Sequence, residues 1–197
     1  LRIEWYEDLF ADITSRYPIH LHALSPSEVL HIAKVSKLSL DETLARLRAA
    51  GHASLPGGGA EILVDRVRRV IAPRKTTTDE WLDVMRAAHR AGMSTSATMM
   101  YGTVDTWEDR VEHLRRLREV QDETGGFRAF VCWSYQPGGG SARGDDHART
   151  TAADYLMMLA VSRLYLDNFP HFQSSWVTQG LRVGQLALEF GCDDMGS

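Results

Sequence analysis

Apolar and polar positions along the chain follow two alternating periods, one typical of helices and one typical of strands. Apolar side chains from Trp5 to Ile13 recur at helical spacing, and Pro18 ends that first segment. Extended segments then alternate with amphipathic helices to the end of the chain. The pattern predicts five strands, at residues 19–24, at 54–56 before a glycine turn, and at 94–101, 127–136 and 171–178.

Several of the intervening helices begin with a capping signal. Ser25 precedes Glu28 by three residues and Thr77 precedes Glu80 by the same spacing, so each pair can satisfy two free backbone amides. Pro26 also favours a helix start, because its fixed φ suits the first turn. The predicted helices follow residues 25, 39 and 77, and cover residues 60–70, 106–123, 151–168 and 181–190.

Helices of this length can cross over between parallel strands, which predicts an α/β fold. Alternation alone does not separate a closed barrel from an open, doubly wound sheet. The turn at residues 57–59 lacks the spacing of a dinucleotide-binding fingerprint, and the chain contains no P-loop motif. We favour a partial (β/α)8 barrel, TIM-like, in which residues 1–197 form a single domain that supplies the middle and later strands.

The composition excludes some classes of binding partner. The chain has 22 Lys and Arg against 26 Asp and Glu, a net charge of −4, which gives no electrostatic basis for binding nucleic acid. No apolar run is long enough to span a membrane. Cys132 and Cys192 lie far apart in sequence, which excludes a cysteine-rich zinc site and indicates a reducing, cytoplasmic environment. We therefore expect no nucleic-acid partner and no membrane partner.

Two histidines stand out in the first predicted strand. His20 and His22 share one face, while the other face is wholly apolar and should pack against helices. The alternative is a pair of core histidines satisfied by hydrogen bonds. No nearby Asp or Glu completes a plausible set of metal ligands, so a polar contact with a substrate is the favoured interpretation.

The glycine turn after the second strand is bracketed by Ser54 and Glu61. Glycines allow the backbone to approach a ligand closely, and Glu61 can accept hydrogen bonds from hydroxyl or amino groups. A plain turn, with Glu61 stabilising the next helix N-terminus, explains the same spacing equally well. Both alternatives stay open from the sequence.

Three later strands carry small hydroxyl and amide groups at alternate positions. In each strand we expect the more polar set to line the barrel interior, as is typical of a cavity that binds a polar, uncharged ligand such as a sugar. The candidate residues from these strands are Thr98, Ser134, Gln136 and Gln179.

The carboxyl ends of successive parallel strands converge on one mouth of a barrel. We therefore expect His20, His22, Thr98 and Gln179 to share one cavity, with Glu61 on its rim. The alternative is an alternation misphased by one residue, which would turn a side chain outward against the helices.

Longer segments of the chain resemble one enzyme family. Residues 54–63 (SLPGGGAEIL), 77–81 (TTDEW), 97–102 (ATMMYG) and 121–127 (QDETGGF) resemble the radical S-adenosylmethionine (SAM) enzymes of futalosine and deazaflavin synthesis. Residues 133–138 (WSYQPG) and 175–180 (SWVTQG) are similar to the cyclic dehypoxanthinyl futalosine synthase branch of menaquinone biosynthesis. Sister aminofutalosine synthases carry a segment ending in His-Pro at the position of residues 135–137. The resemblance covers essentially the whole chain.

The resemblance implies a radical SAM barrel with SAM and a [4Fe–4S] cluster as cofactors. It also implies a nucleoside-like small-molecule substrate and an electron donor such as flavodoxin or ferredoxin. In the implied reaction a SAM-derived radical abstracts hydrogen from the substrate ribose. The carbon radical then closes onto an aryl ring with loss of an electron and a proton, and no residue is assigned as the proton acceptor.

Family members hold the cluster on a CxxxCxxC loop after the first barrel strand, and Cys132 and Cys192 do not form that motif. The first helix resembles the one after the family's second strand. We therefore expect an internal fragment, inactive alone, that lacks the first strands and the end of the last, with its cluster ligands outside this chain.

Two positions depart from the family pattern. Thr103 stands where a His is common, and Thr76 stands where a Cys is common.

Two other functions stay open from the sequence. One alternative function is a sister enzyme, either an aminofutalosine synthase or a deazaflavin-synthase-type enzyme. The other is a barrel that binds a ligand without any cluster.

Overall fold

The chain alternates between helices and strands in the computed structural model, which describes residues 1–136 and 150–196. The strands are β1 (Leu21–His22), β2 (His52–Leu55), β3 (Ser94–Tyr101), β4 (Phe127–Ser134) and β5 (His171–Gln173). The helices are α1 (Ile3–Arg16), α2 (Pro26–Ser36), α3 (Leu40–Ala49), α4 (Asp65–Ile71), α5 (Thr78–Arg90), α6 (Trp107–Thr124), α7 (Ala152–Tyr165), α8 (Trp176–Gln179) and α9 (Leu181–Ala187), with a 3₁₀ turn at Leu188–Phe190. Pro137 and Gly138, part of one family-like segment, lie outside the described residues.

The strands form one parallel sheet whose order, β1-β2-β3-β4-β5, follows the chain. Its longest pairing joins β3 and β4, where Thr98 lies beside Val131. Beyond β5, an isolated parallel bridge joins Gln173 to Asp194. Successive neighbouring strands joined by helices are the arrangement of a (β/α) barrel, so the predicted α/β class is confirmed.

Side-chain caps fix where the helices begin. Ser25 and Glu28 form the predicted capping box at α2, and Thr77 and Glu80 form the predicted one at α5. A glycine ends α6 at its carboxyl terminus. Gly125 adopts a φ of 61°, a left-handed conformation that costs little strain in glycine. Both signals are local in sequence, which is why they could be read there.

The largest apolar core lies between the sheet and the helices on its outer side. From β3 it takes Ala97, Met99 and Tyr101, and these side chains are fully buried. Trp81 of α5 and Leu114 of α6 pack against them from the helix layer. Each of the larger aliphatic side chains, such as Met99 and Leu114, contributes about 1.5–3 kcal/mol through its removal from water. Packing on this outer side directs the alternate strand residues inward.

Two predicted elements differ from the structure. The helix expected at residues 60–70 begins only at Asp65, because Arg68 binds the carbonyl oxygens of Gly59 and Ala60 and holds that segment as a loop. The strand expected at residues 171–178 ends at Gln173. The Ser175 carbonyl oxygen then accepts hydrogen bonds from the next turn, so residues 176–179 are helical.

None of the helices in the described part of the chain is long and apolar enough to cross a membrane.

Candidate functional site

The inner face of the sheet borders a cavity of about 790 Å³. Most of the lining residues have polar side chains, and every strand of the sheet contributes to the wall. The lining residues are His20, His22, Ser54, Ser94, Thr95, Ser96, Arg128, Ala129, His171, Gln173, Asp193 and Asp194. A cavity of this size and polarity can hold a nucleoside-sized ligand.

His20, His22 and Ser54 form a hydrogen-bonded group in the cavity wall, called the trio below. The His20 Nε2 atom lies 2.7 Å from the Ser54 hydroxyl oxygen, and the His22 Nδ1 atom lies 2.6 Å from that same oxygen. Ser54 is only 5% exposed, whereas both imidazoles are exposed to the cavity. The alternation of the first strand therefore predicted the side of the sheet on which both histidines lie.

Packing behind β1 explains this orientation. Leu21 and Ala23 contact the apolar cluster of Ile3, Phe10 and Leu47, which lies on the outer side. A strand turns alternate residues to opposite faces, so burying these two directs their neighbours inward. Parallel pairing also sets His22 beside Ser54, which brings the hydroxyl within reach of both rings.

Burial favours the neutral form of two histidines beside the cavity, His22 and His52. Burial lowers the pKa of His22, and the nearby charge of His20 lowers it further. Burial also lowers the pKa of His52, which lies behind them on β2 and donates from Nε2 to the Ala23 carbonyl oxygen at 2.7 Å. Across the cavity, the His171 Nδ1 atom lies 2.8 Å from an Asp193 carboxylate oxygen. A basic and an acidic side chain thus meet on the β5 side of the wall.

The glycine turn after β2 is pinned against β3. The Gly57 amide donates to the Ser96 hydroxyl at 3.0 Å, and the Thr98 hydroxyl donates to the Gly57 carbonyl oxygen. Thr98 therefore lies on the predicted face of β3, but its hydroxyl binds the turn, and the residue as a whole is 8% exposed. It supports the cavity edge and is not one of the cavity-lining residues.

Glu61 lies at the far end of this turn. Its φ of 48° is left-handed, which is uncommon for a residue with a side chain. Its carboxylate pairs with Lys75, and its carbonyl oxygen accepts from the Met100 amide at 3.0 Å. Glu61 is therefore held by β3 and by a lysine after α4, and it does not line the cavity.

Ser134, Gln136 and Gln179 form a separate polar cluster at the carboxyl end of β4. The Gln179 amide donates to the Ser134 hydroxyl at 2.9 Å, and the Gln136 amide donates to it at 3.2 Å. None of the three lines the cavity, because the cavity lies toward the amino ends of β3, β4 and β5 and not at their carboxyl ends as predicted. The structure therefore does not bring Gln179 together with His20 and His22.

The inward face predicted for β4 is wrong. Cys132, on the same face as Ser134, is buried in the outer core beside Phe130. Ala129 instead faces the cavity. The polarity of the alternating set misled the prediction, because burial of the apolar Phe130 and Cys132 decides which way this strand faces. The face assigned to Gln179 is also wrong, since that residue lies in α8 and not in a strand.

Several cavity residues were not among the sequence candidates. Arg128, His171, Asp193 and Asp194 lie at the starts of strands or at the bridge after β5. His171 stands two residues before Gln173 and so shares its face, a signal that the alternation contained. Nothing local in the sequence marks Asp193 and Asp194, because only the bridge to β5 brings them to the sheet.

The two cysteines do not fit an iron–sulfur cluster. Cys132 and Cys192 are buried in the outer core, and burial raises the pKa of both thiols, that of Cys192 to about 12. A cluster needs three or four thiolate ligands. Across residues 1–136 and 150–196, no group of three or more His, Cys, Asp or Glu is placed to hold a metal.

Two family models match the chain and together cover most of it. The radical SAM superfamily matches residues 1–117, and the CofH/MqnC C-terminal region matches residues 124–197. The chain belongs to the radical SAM superfamily. Membership implies SAM and a [4Fe–4S] cluster as the cofactors of the family, as the resemblance had predicted.

Curated radical SAM relatives align along nearly the whole chain. The cyclic dehypoxanthine futalosine synthase of Streptomyces coelicolor is 46% identical over 99% of this chain and 49% of its own length. The 5-amino-6-(D-ribitylamino)uracil–L-tyrosine 4-hydroxyphenyl transferase of Methanococcoides burtonii is 45% identical over 100% of this chain and 57% of its own length. The aminodeoxyfutalosine synthase of Thermus thermophilus is 41% identical over 97% of this chain and 52% of its own length. The chain therefore spans about half the length of these curated relatives.

A solved radical SAM structure supports the fold independently of sequence. Methylornithine synthase superposes with a TM-score of 0.70 at 14% identity, covering 97% of this chain and 51% of that protein. At this identity the likeness concerns the fold alone. Together with the superfamily match, this likeness confirms the predicted radical SAM barrel, of which the described sheet is a part.

Proposed function

We propose that this chain is the middle and C-terminal part of a radical SAM cyclase that converts dehypoxanthinyl futalosine to its cyclic product in menaquinone biosynthesis. The similarity to the Streptomyces synthase along 99% of the chain carries this proposal. In this proposal residues 1–197 act as one domain of a longer cytoplasmic enzyme, and the cluster ligands lie in another segment.

The cavity is suited to a polar nucleoside-like substrate. Such a molecule offers hydroxyl groups, and the lining side chains of Ser94, Ser96 and Gln173 include both donors and acceptors, while the Ser54 hydroxyl contacts the two histidines. His20 and His22 add ring nitrogens on the β1 side of the wall. Ser134, Gln136, Gln179 and Glu61 lie outside the lining of this cavity, and in this proposal they contact a ligand only from the carboxyl ends of the strands.

The same polar wall fits SAM, whose methionine end carries both charges. Arg128 is available to a carboxylate, and Asp194 is available to an ammonium group. When bound beside a reduced cluster, SAM supplies the radical that starts the reaction. The chain's own task is to orient the ligands, to exclude water and to accept a proton. The reducing electron comes in this proposal from a small protein such as flavodoxin or ferredoxin.

Product analysis tests the proposed substrate. A form of the protein that includes a cluster-binding segment, reconstituted anaerobically, is expected to convert dehypoxanthinyl futalosine to its cyclic product. Under the same conditions 5-amino-6-(D-ribitylamino)uracil with tyrosine should give no product. The matched control is the same protein without SAM. Turnover of the uracil and tyrosine pair alone would contradict the proposal.

The uracil–tyrosine transferase activity is the second candidate function. The Methanococcoides relative is 45% identical over 100% of the chain, only one percentage point below the Streptomyces synthase. Two sequence segments that resemble the cyclase branch, residues 133–138 and 175–180, favour the cyclase, whereas overall identity does not separate the two functions. The two-substrate assay decides between these functions in one experiment.

A further inference from the structure

The trio of His20, Ser54 and His22 imposes a strict rule on proton positions. Both ring nitrogens lie within 2.7 Å of one hydroxyl oxygen, and that hydroxyl carries a single proton. Among the described residues the Ser54 hydroxyl has no other hydrogen-bond partner. Because Ser54 is 5% exposed, its proton must be given to one of the two rings.

Two arrangements satisfy this rule when both rings are neutral. In the first, Ser54 donates to His22 Nδ1 and accepts from His20 Nε2, so both histidines carry their proton on Nε2. In the second, Ser54 donates to His20 Nε2 and accepts from His22 Nδ1, so both carry their proton on Nδ1. The two histidines therefore always share one tautomer, although they are two residues apart.

We propose that the trio is a proton relay in the cavity wall, which accepts a proton released by the bound ligand and passes it from one imidazole to the other. The identity of that ligand rests on the proposed function. The relay itself rests on the geometry of three side chains. His22 lies on β1, Ser54 lies on β2, and His20 directly precedes β1.

The transfer balances atom by atom. A proton from the ligand bonds to His20 Nδ1, and the proton on His20 Nε2 moves to the Ser54 oxygen. The hydroxyl proton of Ser54 moves to His22 Nδ1, and the proton on His22 Nε2 passes to water, since the His22 imidazole is exposed. The trio passes from the first arrangement to the second with no net change of charge, and transfer in the opposite direction restores it.

The surroundings leave the relay free to accept a proton. Among the described residues no carboxylate is hydrogen-bonded to His20 or His22. Burial and the charge of His20 lower the pKa of His22, and burial lowers the pKa of His52, which lies behind them on β2. The other charged groups facing the cavity are Arg128 on β4, His171 on β5, and Asp193 and Asp194 after the 3₁₀ turn. A neutral imidazole is the form that can take up a proton near neutral pH.

Nitrogen-15 NMR of the imidazoles tests the relay in this chain without any ligand. At a pH where both rings are neutral, the Nδ1 and Nε2 chemical shifts should show the same tautomer, or the same tautomer mixture, in His20 and His22. Opposite tautomers in the two rings would overturn the proposal. Ser54→Ala should make the two tautomer ratios independent, whereas Ser54→Thr, which keeps the hydroxyl, should keep them equal.

Turnover tests whether the relay serves the reaction. In a form of the protein that includes a cluster-binding segment, Ser54→Ala should lower kcat about 10²-fold with little change in KM. It should also alter the pH profile, and Ser54→Thr should recover most of the rate. An active wild type with an equally active Ser54→Ala variant would overturn the catalytic role. A wild type inactive on every substrate would count against the proposed function only, since the tautomer measurement tests the relay separately.

Discussion

Gly57 lies where the turn after β2 crosses β3, and this close approach leaves no room for a side chain. A Cβ atom on Gly57 would lie 2.4 Å from the Ser96 carbonyl oxygen, which belongs to the backbone of a central strand. On Gly58 it would lie 3.6 Å from the Ser25 Cβ atom, an ordinary contact. Two adjacent glycines thus have different physical roles.

Gly57→Ala is expected to lower the free energy of unfolding by about 1–3 kcal/mol, because the turn or β3 must shift to relieve the overlap. Urea unfolding followed by circular dichroism measures this change. Gly58→Ala is the matched control and should change stability by about 0.5 kcal/mol or less. Equal effects of the two substitutions would show that the turn does not lie against β3 as described.

At the scale of elements, one buried arginine organises the segment between β2 and α4. Arg68 is 2% exposed, and it donates to the carbonyl oxygens of Gly59, Ala60 and Thr76. Burial lowers its pKa, while the charges of Glu61 and two other acidic residues act in the opposite direction. A single side chain therefore satisfies backbone acceptors that would otherwise be left unpaired inside the loop.

Arg68→Met should destabilise the fold by about 3 kcal/mol, because three carbonyl oxygens lose a donor while the buried volume is roughly kept. Thermal unfolding of the variant measures the loss. Arg69 follows directly on α4 and is exposed, so Arg69→Met is a matched control expected to change stability by less than about 0.5 kcal/mol. A large loss in both variants would point to a general charge effect on α4.

At the scale of the whole molecule, the described sheet is part of a barrel and carries none of the cluster chemistry of its family. Cys132 and Cys192 are core residues, and burial raises the pKa of both thiols. Anaerobic reconstitution of this chain with iron and sulfide should therefore give no charge-transfer absorption near about 400 nm. Absorption spectroscopy with iron and sulfide analysis checks this. A stoichiometric band would contradict the placement of the cluster ligands in another segment.

The capping signals and the alternating strands were readable because each depends on neighbours within a few residues. Thr77 and Glu80 satisfy backbone amides of their own helix independently of tertiary contacts. The inward orientation of His20 and His22 was likewise predicted by a first strand whose other face is wholly apolar. Local hydrogen bonding and burial of an apolar face therefore determined the α/β class and one side of the candidate site from sequence alone.

Contacts between distant residues decided the rest. The outer core buried Phe130 and Cys132 and so turned Ser134 away from the cavity, although its strand looked more polar on that side. Asp193 and Asp194 reach the cavity wall only through a bridge to β5. His22 and Ser54 meet only because parallel pairing sets β1 beside β2. The sequence records which residues are polar, but packing energy summed over the whole core selects which of them face the cavity.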